Sequence, residues 1–368
     1  MVVKVIGIFL VFSPPTALLY LCRKITAMAT NITTSFDSYY LTSHLPETVY
    51  IGTSAEKLTV TVSVGNNVIF SSVFYPYNQV VAFRDLRSIV EAEMYEQDYD
   101  MVPLEIEAME PGGTSSVVSD VQVVYCDFKC ADGSESFLRN HFLTTRKSTV
   151  IPTNGHVLLF YMAFANQQGS NYVKIHYSFP YIENQFFEYT YNKPKILSNT
   201  TQVMMERLDY DTFRQILDNN VSGSNAIIHF VEIAYGNRRF TIFFTDEVPQ
   251  LKMTFLNAFN LLETAFIYGV TTAKTTVDRS EAVIGRNTQY YDQTVTTKHE
   301  VETAILTRDE AEWLKQMLYS KEVRVWESYS NQVKVLVSDI TCEITDSSKE
   351  LTKIKFSWRF ADDTEWME

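Results

Sequence analysis

A chain of 368 residues is longer than one ordinary hydrophobic core supports and suits two or three domains. Its formal net charge of -13, with lysine and arginine scattered rather than clustered, repels a phosphate backbone and argues against nucleic acid as a partner. Four cysteines, Cys22, Cys126, Cys130 and Cys342, supply neither a disulfide framework nor the paired ligands of a zinc site. Aromatics at 14% and abundant β-branched residues favour pleated packing surfaces, so the expected class is mainly β with short helices, a β-rich α+β protein of two to three antiparallel sandwich-like domains.

Residues 1–29 open the chain with an apolar run over 2–21, Lys4 ahead of it, and Ala27-Met28-Ala29 as a small-residue cleavage pattern, which reads as a leader. Pro14 and Pro15 interrupt that run, and Arg23 and Lys24 follow it, which reads instead as a mis-called start ahead of Met28; a membrane anchor is the third reading. A membrane partner follows only if residues 1–29 are retained.

The first domain is expected over 30–146. Thr34 to Thr48 is polar without a period and reads as an arm or loop. Leu58, Val60, Val62 and Val64 alternate with Thr and Ser, and Gly65-Asn66-Asn67 turns the chain into a returning strand at Val68 and Phe70. Leu86, Ile89, Val90 and Met94 share a helical face behind Asp85 as a cap; Glu96 to Glu107 reads as acidic and irregular; Val121, Val123 and Tyr125 resume a strand; Phe137 to Leu143 reads as a short helix.

The second domain is expected over 147–250. Val157 to Phe164, Tyr172 to Phe179 and Phe186 to Tyr191 read as strands, Val203 to Leu217 as a helix, and Ala226 to Phe244 as a hairpin about Gly236-Asn237. The third domain, 251–368, carries a polar, extended stretch from Thr271 to Gly285 that reads as an arm or surface loop. Beyond it the local signals agree best. Thr307 stands as N-cap with Glu310 as its capping-box partner and Leu306 with Ala311 as a staple; Ala311, Leu314, Met317 and Leu318 share one face. Val323 and Val325, then Val333, Val335 and Val337, then Ile354, Phe356, Trp358 and Phe360 alternate with polar residues as a three-strand meander.

No constellation specifies a reaction. His141, His156 and His176 lack a nucleophile in a Gly-flanked elbow, and the acidic run Glu96, Asp98, Asp100, Glu105 and Glu107 lacks a calcium-loop pattern. Asp127, Asp132 and Glu135 around Gly133 read as a turn before a cation loop. Tyr75, Tyr77, Tyr181, Tyr189 and Tyr191 with Phe186 and Phe187 could form a glycan platform, although such rings more often pack across strands. No cofactor, metal or small-molecule substrate is expected.

Phe255-Leu256-Asn257-Ala258-Phe259-Asn260, Asp278-Arg279-Ser280 in the arm, the helix end Trp313-Leu314-Lys315-Gln316-Met317-Leu318-Tyr319-Ser320 and the closing Phe356-Ser357-Trp358-Arg359-Phe360-Ala361-Asp362 together resemble the structural tail proteins of tailed bacteriophages and prophages. The resemblance covers about a third of the chain and implies a β-sandwich module forming symmetric rings in a tail tube, distal tail or baseplate, with no catalytic residues. It implies homo-oligomers and other structural proteins as partners and a virion location after assembly in the bacterial cytoplasm. Read from the residues themselves, the stripe Phe356, Trp358 and Phe360 is most simply core with an intersubunit face as its second reading, and an arm carrying Lys274, Asp278 and Arg279 is of the kind that packs on a neighbour. An apolar N-terminal run departs from that pattern. The alternative is an exported bacterial protein of the cell surface or periplasm, binding glycans through Tyr181, Tyr189 and Tyr191.

Overall fold

The computed structural model describes residues 29–113, 115–165, 170–182, 185–193, 200–221, 225–326, 331–342 and 352–362. The leader, start or anchor readings of residues 1–28 lie outside them. The described chain is mostly β-strand with four short α-helices, a β-rich α+β protein as its composition predicts. Among the described residues, no helix is long and apolar enough to cross a membrane.

The chain divides into two compact units with interleaved segments. One gathers the described parts of residues 1–38, 45–93 and 103–122. In it Thr48–Gly52 pairs antiparallel with Val80–Arg84 and with Asn31–Ile32, while Ser115–Val124, Met101–Met109, Leu58–Val64 and Asn67–Phe74 lie side by side in that order. Val60, Val62, Val64, Leu104, Ile106 and Ala108 alternate into its core, as the period of a half-buried sheet demands. The predicted hairpin at Gly65 is present, with Gly65 at φ 60° in its turn. Glu96 to Glu107, expected to be irregular, is corrected: Met101–Met109 is a strand whose Glu105 and Glu107 lie on the outward face while their neighbours are buried. Helix α1, Leu86–Glu96, buries Leu86, Val90 and Met94. Asp85 ahead of it holds a left-handed backbone at φ 66°, not the extended geometry of an N-cap.

The other unit gathers residues 39–44, 94–102 and 123–368. The polar stretch expected as a loop contributes a strand, Tyr39–Leu41, and a short 3-10 turn, Thr42–His44. Thr42 is fully buried, and its hydroxyl donates to the Cys126 carbonyl at 2.8 Å and accepts from the Cys126 amide at 2.9 Å, so a polar sequence is ordered by a side chain standing in for backbone pairing. Helix α2 spans Ser134–Asn140, three residues earlier than its apolar pattern suggests, and Phe142 and Leu143 are spent on core contacts instead.

A five-stranded sheet follows, ordered Phe187–Lys193, Asn171–Ser178, Ile227–Tyr235, Arg238–Thr245 and Ser148–Pro152, the last pair being parallel. Against it packs a two-stranded ribbon, His156–Ala163 with Gln202–Asp209, and helix α3, Tyr210–Asn220. The expected helix over 203–217 is therefore corrected. Met204, Met205, Glu206 and Leu208 are good helix formers, but all eight residues from Gln202 to Asp209 pair with His156–Ala163, and long-range pairing overrides propensity. Asp209 ends that strand and caps α3, accepting from the Thr212 amide at 2.9 Å.

The seven-stranded sheet is ordered Leu262–Ile267, Leu251–Leu256, Val323–Trp326, Gln332–Cys342, Ile354–Phe360, Asn287–Thr303 and Gly269–Ile284. Helix α4, Arg308–Tyr319, lies on it with the predicted Thr307–Glu310 capping box closed in both directions. Ala311, Leu314, Met317 and Leu318 are buried as the spacing predicts, joined by Trp313. Leu306 packs against the same cluster as Ala311, consistent with the staple.

Candidate functional site

The stretch 271–285 is not a surface loop but one strand of an extended arm: Gly269–Ile284 and Asn287–Thr303 form one hairpin in continuous register, broken only by a shift between Ser280 and Glu281. Among the described residues, only His299 to Glu302 also pair with Ile354–Phe360. Beyond Ala273 no described strand pairs with the ribbon, and at about 3.3 Å per residue its turn at Gly285 lies roughly 35 Å out along it. From Thr272 to Arg279 and from Asn287 to Thr296 every residue is exposed.

The pleat sorts its two faces. One continues the core face of the sheet, with Val301 opposite Phe356 and His299 stacked on Trp358 at 3.9 Å, then Val277 opposite Val295, and the Arg279 guanidinium 5.0 Å from the Tyr290 ring. The other is polar, with Lys274 paired to Glu300 at 2.7 Å. Lys298 pairs with Asp339, and Glu302 receives Lys353 and Lys355 at 2.8 and 2.9 Å, which hold its carboxyl down at about 2. At the tip Val283, Ile284 and Tyr291 are exposed by 72%, 65% and 69%, a cost to solubility that nothing in the same ribbon relieves.

At the root of the hairpin lies a cavity of 240 Å³ lined by Arg146, Thr149, Phe266, Tyr268, Leu306 and Trp313 among others, with Glu247 and Glu310 also on its wall. Arg146, at the expected boundary between the first two domains, is 6% exposed. Its Nη1 donates to Thr149 at 2.9 Å, its guanidinium lies 4.1 Å from the Trp313 ring, and Nε sits 3.5 Å from Glu263 without hydrogen-bond geometry. Burial lowers its pKa, and Glu263 and then Glu310 oppose that shift. Glu263 is itself buried and accepts from Asn257 at 2.7 Å and from the Trp313 indole at 2.5 Å. The Tyr268 hydroxyl is buried with no partner, and burial, helped by Glu247, pushes it up to about 12.

Among the interface candidates, Phe356 and Trp358 belong to the core, Phe360 packs at its margin, and Lys274, Asp278 and Arg279 lie on the hairpin. Phe255 to Asn260, one of the segments carrying the tail-protein resemblance, is the end of the strand Leu251–Leu256 and the turn after it, with structural duties. Asn257 Oδ1 accepts from the Phe259 and Leu261 amides, and Asn260, at φ 56°, donates to the Met94 carbonyl at 3.0 Å. Of the tyrosines, Tyr181 is 66% exposed and stacks on Phe179 at 5.2 Å. Tyr189 packs on the sandwich core opposite Ile175, and Tyr191 is half-buried opposite Val173.

His141 stacks on Phe137 with Asp132 at 3.5 Å, and His176 stacks on Phe230 between Glu188 and Glu232. His156 has its pKa lowered by burial and by Arg207 and Lys252. Glu135 pairs with Arg139, and Asp98 with Lys321 at 2.5 Å. Cys126 and Cys130 are free thiols; a hydrogen bond with Cys130, then burial, keeps Cys126 protonated.

No family model matches this chain. No curated protein matches it either. One solved structure, bearing on the host cell surface retention of a 1.5-MDa bacterial ice-binding adhesin, aligns over 90% of this chain and 96% of its own at 9% identity. Its TM-score is 0.16, too low for any inference about fold or function to pass between the two.

Proposed function

We propose that this chain is a non-enzymatic structural protein that assembles with copies of itself and with companion proteins, as a tail or baseplate component of a tailed phage or prophage. The observation that carries the reading is the hairpin 269–303. An isolated two-stranded ribbon is marginal in water, and this one extends roughly 35 Å with an apolar tip. A ribbon of this kind is stabilised when a neighbour covers it. The acidic balance, which disfavours nucleic acid, and the resemblance of segments within 251–368 to phage tail proteins support the same reading.

The test is the mass in solution of the full chain and of a variant whose hairpin is shortened by joining Lys274 to Lys298 through a two-residue Asn-Gly turn. A defined oligomer for the natural chain and a smaller species for the shortened one are expected. A strict monomer for both, across concentrations up to those of a crowded assembly, overturns the reading.

A second reading, glycan binding at a bacterial cell surface, is favoured by the exposed rings of Tyr181 and Phe186, at 66% and 75%. Glycan-array binding lost in the Tyr181→Ala variant would promote it; an array without signal would remove it.

A further inference from the structure

We propose that the hairpin tip of one copy inserts into the cavity beside Arg146 of a second copy. The inference rests on the assembly reading and names its socket. Two observations meet in it.

The first is reach. The cavity borders the root of the hairpin, at Tyr268, Thr303 and Ala304, whereas the tip lies roughly 35 Å out along the two-stranded ribbon. A chain cannot fill its own cavity with its own tip. The contact must be made between molecules, either exchanged reciprocally in a two-fold dimer or passed on from copy to copy around a ring or along a filament.

The second is complementarity. Val283 and Ile284 are exposed branched side chains beside Gly285 and Arg286. The cavity offers Phe266, Ile267, Leu306 and Leu314 as apolar wall, and its 240 Å³ exceeds the roughly 150 Å³ that accommodates a benzene ring. Its carboxylates are Glu247 and Glu310, while Arg146 is already balanced by Glu263. The local field therefore favours a cation, which Arg286, exposed at the tip, supplies.

Two full-length variants, Ile284→Cys on one copy and Ile305→Cys at the exposed cavity rim of another, are mixed and treated with a short bismaleimide, with the unsubstituted chain as background. A cross-linked dimer from the mixture, at least tenfold above background and above either variant alone, is expected. In parallel, Arg286→Glu should weaken self-association at least fivefold, and adding Glu247→Lys should restore most of it. If the chain self-associates but the mixture gives no excess dimer, or Ile284→Cys alone cross-links as well as the mixture, the socket is wrong while the assembly reading stands. If no self-association occurs at all, both fall.

Discussion

Arg238 shows how much a single buried cation organises here. It is 1% exposed and has no carboxylate facing it; its guanidinium donates to the carbonyls of Leu138 at 2.6 Å, Met162 at 2.7 Å and His141 at 3.1 Å. Burial lowers its pKa to about 10, so it remains charged at neutral pH and ties the end of α2 to the strand His156–Ala163. Arg238→Met fills similar space but leaves three carbonyls unpaired. It should cost about 3 kcal/mol or more, read as a lower urea midpoint at unchanged slope.

His299 is the second residue with a measurable consequence. Stacked on Trp358, it has its pKa depressed by burial below the ordinary 6.5. The unfolded chain then binds more protons than the folded one as pH falls below 6.5, so stability is present above that value and is lost towards acid. Replacing it with Phe keeps the stack and removes the proton, so the fall in Tm between pH 7 and pH 5 should be shallower for His299→Phe than for the natural chain. Parallel slopes would show that His299 does not titrate across the transition.

At the scale of elements, α4 and the hairpin behave oppositely. The helix is fixed by local chemistry: removing the Thr307 oxygen with Thr307→Ala opens the capping box and should cost about 1 kcal/mol, or roughly 2 to 4 °C in Tm for a unit of this size. The hairpin is fixed at its root. Gly269 sits at φ 145°, and a Cβ there would lie 2.2 Å from the Glu302 carbonyl oxygen and 2.7 Å from the Ala304 amide. Gly269→Ala should therefore destabilise the root by about 2 kcal/mol or more, seen as faster amide exchange from Val270 to Glu302.

The same contrast explains what the sequence made legible. Period-2 and period-3.6 patterns announce α4 and the meander because each has one buried and one wet face. Gly269–Ile284 is wet on both faces along most of its length, and Val270, Ala273, Val277 and Val283 fall at no sustained period of two, so the strand reads as an arm or loop. Gln202–Asp209 carries helix formers into a strand because its partner is distant in sequence. Arg146 and Arg238 escaped notice because charged residues default to the surface, and only packing reveals that both are buried among carbonyls, a carboxylate and rings.

At the scale of the molecule, the interleaving of segments matters more than their count. The larger unit takes residues 39–44 and 94–102 from the first third of the chain, and their contacts there are buried ones: Leu41 amide to Ser134 hydroxyl at 3.0 Å, Thr42 with Cys126, and the Met94 and Tyr99 carbonyls with Asn260. A fragment beginning at Val123 keeps the seven- and five-stranded sheets but loses every one of these partners. It would expose Cys126, Phe128 and Phe259, which pack in a cluster that includes Leu41. Each orphaned buried polar group costs on the order of 1 to 3 kcal/mol, comparable in sum with the whole stability of an ordinary domain. The fragment 123–368 should therefore bind a hydrophobic dye and melt well below the full chain, and adding a peptide covering 36–46 should recover part of the difference. A fragment that melts at the temperature of the full chain would mean that the early segments lie on the larger unit without supporting it.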